Sequence, residues 1–441
     1  MKQKLDAALD EISDKHIAEA ANTKLRRYIP KWAKAVAAAA VLALLIGILG
    51  PSMSLKAAAV AEAKYPEYKY TPMDRDDALR MRDFFGNSIS ATLSGLNGQN
   101  GAYSPLNLAI GLSVLAELSC GDGQQQILDA MGASSMDALR SRANTMWKAS
   151  YYDKNNQTLL ANSLWLDNSV TFNQDVMNTL ASNYYTSVYR GNLGSNRVNQ
   201  LIAQWLDQQI GNMLKKDTGA VSLSPDTVLT LYSTIYYQAK WSSEFSSGNN
   251  KEGIFHGAND DTTVTYMNKN KMTGTYYWAE DFGAITLYLK DGATMWIFLP
   301  DQDKTVEDVL ASKDYLNVIY NQTENQKPMY INLSIPKFDI RQNSNLRSGL
   351  ESMGITAIFD QDANAFADSI YGTDVFLSSA NQATRVAIDE KGVTAASYIE
   401  FPGATSPAPP DDEIDFILDR PFFFVITRSN LPLFAGVVNE P

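Results

Sequence analysis

The feature that most constrains the fold is a run from Leu106 to Leu118 in which nearly every residue is apolar or small. Pro105 precedes the run, and proline suits the first turn of a helix. A helix that is apolar on every side is buried on every side. The run therefore predicts a central helix that is enclosed by other elements of a large domain.

The order of the remaining elements predicts the fold class. Strand-like runs follow a helical region in no regular alternation, which indicates α+β and not a doubly wound parallel sheet. The 441 residues are enough for one large domain with extra segments. The predicted strands are 158–166, 228–237, 285–289, 295–299, 330–340, 375–388 and a pair within 416–438 that is broken by a turn at 429–432.

Charged and reactive residues exclude several classes of function. The formal net charge is -12, which argues against nucleic acid as a partner because phosphate binding needs a basic surface. The single cysteine, Cys120, rules out an internal disulfide. Two histidines exclude a histidine-rich metal site and leave His256 as a candidate base in the main domain. No phosphate-binding loop or Gly-x-Ser-x-Gly motif stands out, so we expect no enzyme, no cofactor and no metal.

The amino-terminal region combines a cationic segment with an apolar run. Residues 35–50 are entirely apolar, and Trp32 stands at their edge as an interfacial anchor would. Lys and Arg before the run place the amino terminus in the cytoplasm and the chain after Pro51 outside. We therefore predict a cytoplasmic segment over 1–34 with an amphipathic helix at 1–21, a membrane-spanning signal anchor over 35–55, and a tether over 56–74.

A cleaved signal peptide is the alternative. Ala59-Val60-Ala61 and Ala61-Glu62-Ala63 are plausible small-residue cleavage sites, and cleavage there would release a secreted domain. The apolar run is short for a spanning helix, which needs about 17 to 25 residues. The polar segment before it is long for a signal peptide, typically about 15 to 30 residues in all. The anchor is favoured, and both interpretations place the main domain outside the cell.

Several segments between about Arg75 and Pro441 resemble the serpins, a family of serine protease inhibitors, and they occur in the family's order. On this basis the chain is identified as a serpin, of the bacterial type, with an amino-terminal membrane anchor. The matching segments are 101–107, 161–166, 235–241 followed by Phe245, 295–300, 335–338, 350–359, 389–392, 419–422 and 434–441.

The resemblance implies a serpin fold, with a large central sheet, packed helices and an exposed reactive-centre loop. In such proteins a protease cleaves the loop and is held as an acyl-enzyme. The loop then inserts into the sheet as a new strand, and stored strain drives this step. The implied partner is a serine protease, and the implied state is a monomer.

The loop sequence is compatible with insertion. Gly392, after Glu390, gives the backbone freedom for a turn into the sheet. Residues on one face of a strand alternate with those on the other. The inward residues would be Val393, Ala395, Ser397 and Ile399, and the outward ones Thr394, Ala396, Tyr398 and Glu400. Val393 replaces the family's usual Thr or Ser, and Pro402 lacks a backbone donor, so a non-inhibitory serpin is the alternative.

Two polar clusters are implied by the resemblance. The shutter, which lets the central strands of a serpin separate, maps to Ser104, Asn107, Ser233 and Gln382. The family usually has Asn at the position of Ser233 and His at that of Gln382. The breach, at the top of the sheet, maps to Trp241, Lys337 and Glu390, with an expected ion pair between the last two.

The family's spacing places the reactive bond near Ser406. Because Pro407 follows, and proline after the reactive bond restricts the backbone, we predict Thr405-Ser406, with Ser406-Pro407 and Ala404-Thr405 as alternatives. These small residues fit a protease with a small specificity pocket, of the elastase or subtilisin kind. The acidic residues Asp411, Asp412 and Glu413 would speed encounter with a basic protease.

Overall fold

The computed structural model describes residues 54–66, 71–153, 157–209, 221–372, 375–378, 380–393 and 410–441. Residues 55–441 form one compact unit. Its helices are α1 (Leu55–Ala58), α2 (Arg75–Arg80), α3 (Arg82–Leu93), α4 (Pro105–Leu118), α5 (Gly121–Ala130), α6 (Met136–Ser150), α7 (Gln174–Asn183), α8 (Asn196–Gln209), α9 (Val306–Ser312), α10 (Tyr315–Ile319) and α11 (Arg347–Ser352).

The strands form two large sheets and one small pair. They are β1 (Ala59–Ala61), β2 (Gly101–Tyr103), β3 (Tyr152–Asp153), β4 (Gln157–Asp167), β5 (Thr171–Phe172), β6 (Thr186–Gly191), β7 (Leu229–Lys240), β8 (Lys251–His256), β9 (Asp261–Trp278), β10 (Phe282–Tyr288), β11 (Thr294–Pro300), β12 (Gln326–Pro336), β13 (Phe338–Asn345), β14 (Ile370–Tyr371), β15 (Asn381–Ile388), β16 (Gly392–Val393), β17 (Glu413–Ile417), β18 (Phe422–Arg428) and β19 (Leu431–Val438).

The predicted central helix is present as α4. The hydroxyl of Ser104 accepts a hydrogen bond from the backbone N–H of Asn107, at 3.1 Å, and so caps the helix. Every residue of α4 except Glu117 is buried. The helix packs on β7 of one large sheet and on β19 of the other, so it lies in the core between them.

The first large sheet has the order β1-β6-β4-β7-β16-β15-β13, with β3 paired to β4. β16 runs antiparallel to both of its neighbours, β7 and β15. The second has the order β17-β12-β9-β10-β11-β18-β19-β2, with β8 paired to β9. Helices and mixed sheets in this order confirm the α+β fold class.

The turn between β18 and β19 is determined by its own local sequence. Ser429 and Asn430 have φ values of 51° and 62°. Two consecutive positive φ angles define the tight turn that matches the twist of two antiparallel strands. β18 and β19 therefore pair directly, with Arg428 opposite Leu431, and both strands are buried along their whole length.

Two predicted strands differ from the observed ones. The predicted strand 330–340 is divided at Lys337, whose backbone N–H donates to the carbonyl of Thr265, and the chain passes there from the second sheet into the first. The predicted strand 375–388 begins only at Asn381. Val375 and Leu377 are buried, but they fill the core without joining a ladder.

The structure describes only part of the amino-terminal region for which the sequence makes predictions. Residues 1–34 and nearly all of the predicted anchor lie outside the described residues. Within the part of the chain that is described, no helix is long and apolar enough to cross a membrane. Residues 55–66, inside the predicted anchor and tether, include α1 and β1, and β1 pairs with β6 at the edge of the first sheet.

Candidate loop-insertion site

The site is the space between β7 and β15, the two central strands of the first sheet. β16 occupies one end of this space: Gly392 lies opposite Lys240, and Val393 lies opposite both Ala239 and Ile388. Among the described residues no ladder joins β7 directly to β15. The chain thus begins to form a strand at this position and then continues into residues 394–409, which are outside the described residues.

Gly392 is required by close approach of the backbone. A Cβ atom at this position would overlap the carbonyl oxygen of Ala239 and lie 2.6 Å from the Cα of Lys240. Such distances are below any ordinary carbon contact, so a larger residue would displace the chain from β7. Val393, the next residue, is only 3% exposed, and its side chain belongs to the hydrophobic core.

A tight turn brings the chain from β15 back into β16. The Asp389 carboxylate accepts hydrogen bonds from the backbone N–H groups of Lys391, at 2.8 Å, and Gly392, at 3.1 Å. The backbone N–H of Asp389 donates to the carbonyl of Gly392 at 3.0 Å. These bonds fix the direction in which Val393 enters the sheet.

The breach residues lie together around this turn. Trp241, which is 1% exposed, donates its indole N–H to the carbonyl of Asp389 at 2.8 Å and its backbone N–H to Lys391 at 2.9 Å. Lys337 Nζ lies 2.6 Å from Glu390 Oε1, which also accepts from Asn250 Nδ2 at 2.6 Å. Hydrogen bonding by Lys337 lowers the pKa of Glu390 to about 2, against a smaller opposing effect of burial.

The shutter residues form two separate groups. In the first, Gln382 Oε1 accepts from the backbone N–H of Ser104 at 2.6 Å, and Gln382 Nε2 donates to the Ser104 carbonyl at 3.2 Å. Thr384 adds a hydroxyl that donates to Gln382 Oε1 at 3.2 Å. This group joins β15 to the start of α4. Gln382 and Thr384 are both buried.

In the second group, Ser233 on β7 lies between two amides. Its hydroxyl is 2.6 Å from Asn107 Oδ1 and also contacts Asn162 Oδ1 on β4, the residue directly opposite in the ladder. One hydroxyl proton serves one acceptor, so one of the two amides must present its NH₂ group to Ser233. The two groups lie on opposite sides of the space between β7 and β15.

A cavity of about 50 Å³ lies between the two groups, on the surface of α4. It is bounded by Gly111 of the helix, by Leu231 and Ser233 of β7, and by Ala380 and Gln382 on the other side. Most of the other side chains around it are leucines, so a strand that extended past Val393 would meet a mainly apolar surface there.

Three residues of the site were not predicted. Thr384 is two residues after Gln382 on the same face of β15, and this spacing could have indicated it. Asn162 interrupts an apolar strand and could have been noticed for that reason. Nothing in the sequence around Asn250 predicted its contact with Glu390, because only the fold brings its loop to that residue.

The remaining predicted residues are placed as follows. The hinge residues Thr394, Ala395, Ala396 and Ser397 and the reactive-bond candidates Ala404, Thr405, Ser406 and Pro407 lie outside the described residues. His256 is exposed at the end of β8, and its Nδ1 lies 2.9 Å from Asp261 Oδ1. Asp412 forms an ion pair with Lys327, and Glu413 pairs with Lys271 at 3.4 Å, which reduces the net charge of the acidic run.

Comparison with known proteins identifies the class that this fold and site define. The family model for serpins (serine protease inhibitors) matches residues 81–441, and the chain belongs to that family. Alpha-1-antitrypsin 1-5 of Mus musculus is 25% identical over 421 residues, covering 91% of this chain and 97% of the relative. As a member of a family of protease inhibitors, the chain is not an enzyme.

Solved structures agree with this fold. A thermophilic serpin in the native state, tengpin, superposes with a TM-score of 0.74 at 21% identity, covering 86% of this chain and 97% of tengpin. Human thyroxine-binding globulin gives a TM-score of 0.71 at 20% identity, covering 83% of this chain and 99% of its own. The sequence relatives include animal and plant proteins, which do not support the expected bacterial type.

Proposed function

We propose that this protein inhibits serine proteases outside the cell by loop cleavage, acyl-enzyme trapping and loop insertion. The observation that carries the proposal is the position of Gly392 and Val393, which lie between β7 and β15 and run antiparallel to both. A strand that continued in this direction would complete the sheet. Cleavage of the loop would free it to do so.

The surroundings of β16 favour insertion. The cavity beside α4 lies in the space beyond Val393. The polar groups beside it include Ser233 of β7 on one side and Gln382 and Thr384 of β15 on the other. The side-chain hydrogen bonds of Ser233 run to α4 and β4, and those of Gln382 run to the start of α4 and to Thr384 of β15, so separation of β7 from β15 leaves these bonds in place. The loop residues that would face inward, Ala395, Ser397 and Ile399, are small or apolar. An inserted strand adds ladder hydrogen bonds on both edges, which favours the inserted state.

We propose a target with a small specificity pocket, of the elastase or subtilisin kind, cut at Thr405-Ser406. The support is the sequence of the loop, in which no Lys, Arg or aromatic residue occurs between Pro402 and Pro410. In the acidic run that follows, the carboxylates of Asp412 and Glu413 are held in ion pairs, so electrostatic attraction of a basic protease would be weaker than three free carboxylates would give.

The protein would act as a monomer, because every residue that carries the mechanism belongs to one chain. We propose an extracellular location, either on a single-pass membrane anchor at 35–55 or secreted after cleavage of the leader. The support for this location is the sequence alone: the Lys and Arg residues before the apolar run, and the small-residue motifs after it.

The experiment mixes the full chain with an elastase and looks for a complex that survives boiling in detergent. Mass analysis of the fragment released from the loop then gives the cleaved bond. A non-inhibitory serpin that binds a ligand is the second candidate, since Pro402 weakens a strand and thyroxine-binding globulin shares the fold. Cleavage without any stable complex would support that candidate and contradict inhibition.

A further inference from the structure

Both small-residue cleavage motifs lie in a segment that belongs to the folded domain. Cleavage after Ala61 or after Ala63 would cut at the end of β1 or just beyond it. Val60, Ala61 and Ala63 are partly buried and pack against the core. We name residues 59–65 the edge segment.

The backbone on either side of both bonds is held by the domain. In the ladder between β1 and β6, Ala59 lies opposite Tyr189 and Ala61 opposite Val188. The backbone N–H of Ala63 donates to Ser187 Oγ at 3.2 Å. The backbone N–H of Lys64 donates to the carbonyl of Ala181, in α7, at 2.9 Å.

An aromatic contact fixes the far end of the edge segment. The ring of Tyr65 stacks against those of Trp147, Tyr151 and Tyr185, with centroid distances of 5.8, 6.1 and 6.1 Å. The ring of Trp147 also contacts those of Tyr151 and Tyr185, and Asn144 Nδ2 donates to the Tyr185 hydroxyl at 2.6 Å. Stacked aromatic rings stabilise each other beyond the burial of their surface. The segment is therefore fixed by hydrogen bonds along its length and by stacking at its end.

We propose that folding of the domain closes both motifs to a leader-removing protease. A protease must take the backbone around the cleaved bond into its own active site, so a bond held in a ladder is cut only after local opening. The reaction is hydrolysis: water adds across the peptide bond, which leaves a carboxyl group on Ala61 or Ala63 and an amino group on the next residue. The order of cleavage and folding then decides which form of the protein is made.

The two forms differ at the edge of the sheet that holds the insertion site. A chain folded before cleavage keeps β1, which covers β6. A chain cleaved before folding lacks β1, so the outer edge of β6 has unpaired backbone groups, and an open edge is a place where another strand can pair. This property does not depend on whether the loop traps a protease.

The test treats the folded full chain with elastase, which cuts after small residues. The enzyme is in excess, so that any enzyme trapped by the loop does not limit the reaction. Mass analysis follows cleavage after Ala61 and Ala63 over time. The variants are Val60→Pro, which breaks the strand, and Tyr65→Ala, which removes the stacking. Tyr371→Ala is the matched control, because Tyr371 and Tyr65 are similarly exposed, 45% and 46%.

We expect cleavage at these two bonds to be at least tenfold slower in the parent and in Tyr371→Ala than in either variant. Far-ultraviolet circular dichroism before digestion shows that each variant is folded. Rapid cleavage of the parent, equal to that of both variants, would overturn the proposal.

A reversible crosslink gives a second measurement. Cysteines at Ala59 and Tyr189, which face each other in the ladder, leave Ala61 and Ala63 unchanged. We expect the oxidised form to resist cleavage more than the same protein after reduction. Equal rates in the two redox states would show that release of β1 is not the route to cleavage, and would contradict the proposal.

Discussion

Lys337 and Glu390 form an ion pair at the point where the chain enters the space between β7 and β15, with 2.6 Å between Nζ and Oε1. Lys337 stands at the break between β12 and β13, where the chain leaves one large sheet for the other. Glu390 stands in the turn that leads to β16. The ion pair therefore ties the start of the loop to the junction of the two sheets.

This ion pair predicts a dependence of stability on pH. The pKa of Glu390 is lowered to about 2 from an ordinary value of 4.5. A lowered pKa means that the ionised carboxylate stabilises the folded state at pH values above 4.5, and that this stabilisation is lost as the pH falls from 4.5 towards 2. In thermal melts, Glu390→Gln should lower the midpoint at neutral pH, and the difference from the parent should shrink with acidification.

The control for this prediction is Glu324→Gln, which changes an exposed carboxylate. It should alter the midpoint little at either pH. A difference between parent and Glu390→Gln that stays constant from neutral pH to about pH 3 would show that the ionisation of Glu390 does not contribute.

Val393→Arg should convert the inhibitor into a substrate. Val393 is 3% exposed between β7 and β15, and burial of an unpaired charge there costs several kcal/mol. Elastase should still cleave the loop, but the complex that survives detergent should disappear from a gel. Thr394→Arg is the matched control, because strand alternation places that residue on the outward face. Equal trapping by parent and Val393→Arg would refute the assigned register.

Ser233→Ala should destabilise the uncleaved protein. The hydroxyl serves both Asn107 and Asn162, and its loss leaves buried amide groups without a partner. Such a loss costs about 1 to 3 kcal/mol. Denaturant melts of the uncleaved protein measure it, with Ser242→Ala, an exposed serine, as the control. An unchanged free energy of unfolding would mean that water replaces the hydroxyl.

Cleavage of the loop should raise the melting temperature. The freed strand would complete the ladder between β7 and β15 and fill the 50 Å³ cavity beside α4. Melts of intact and cleaved protein, followed by circular dichroism, measure the change. Equal midpoints would favour a non-inhibitory serpin, because a loop that does not insert adds no hydrogen bonds to the sheet.

Local sequence was sufficient to predict those elements whose structure depends mainly on the residues within the segment itself. The apolar run that forms α4 and the turn at Ser429 and Asn430 are of this kind, and both are present in the fold. The break at Lys337 was not predictable, because apolar residues alternate on both sides of it and only the fold shows that they belong to different sheets.

The residues of the candidate site likewise fall into those that local sequence predicted and those that only the fold shows. Gly392 and Val393 were assigned from a short motif and a period of two, and both depend on backbone alone. The partners of Ser233 and Glu390 depend on which distant segments meet, so Asn162 and Asn250 could not be deduced from their own neighbours. Family resemblance indicated the positions of the polar clusters. It did not indicate the particular hydrogen bonds that Gln382 forms with Ser104 and Thr384.

The position of the reactive bond predicts which proteases the protein inhibits fastest. A trypsin-like pocket requires Lys or Arg before the cleaved bond, and a chymotrypsin-like pocket requires an aromatic ring. Neither occurs between Pro402 and Pro410, so the parent should inhibit an elastase faster than trypsin or chymotrypsin. Association rates for the three enzymes, measured from the loss of their activity over time, give the comparison.

Thr405→Arg should add inhibition of trypsin and reduce inhibition of elastase, because it places a guanidinium group directly before the predicted bond. The matched control is Ala408→Arg, which introduces the same charge three residues further along the loop, where the bond that follows is blocked by Pro409. Mass analysis of the trypsin-cleaved loop should show the cut after position 405. Rapid inhibition of trypsin by the parent, or no gain with Thr405→Arg, would move the reactive bond elsewhere in the loop.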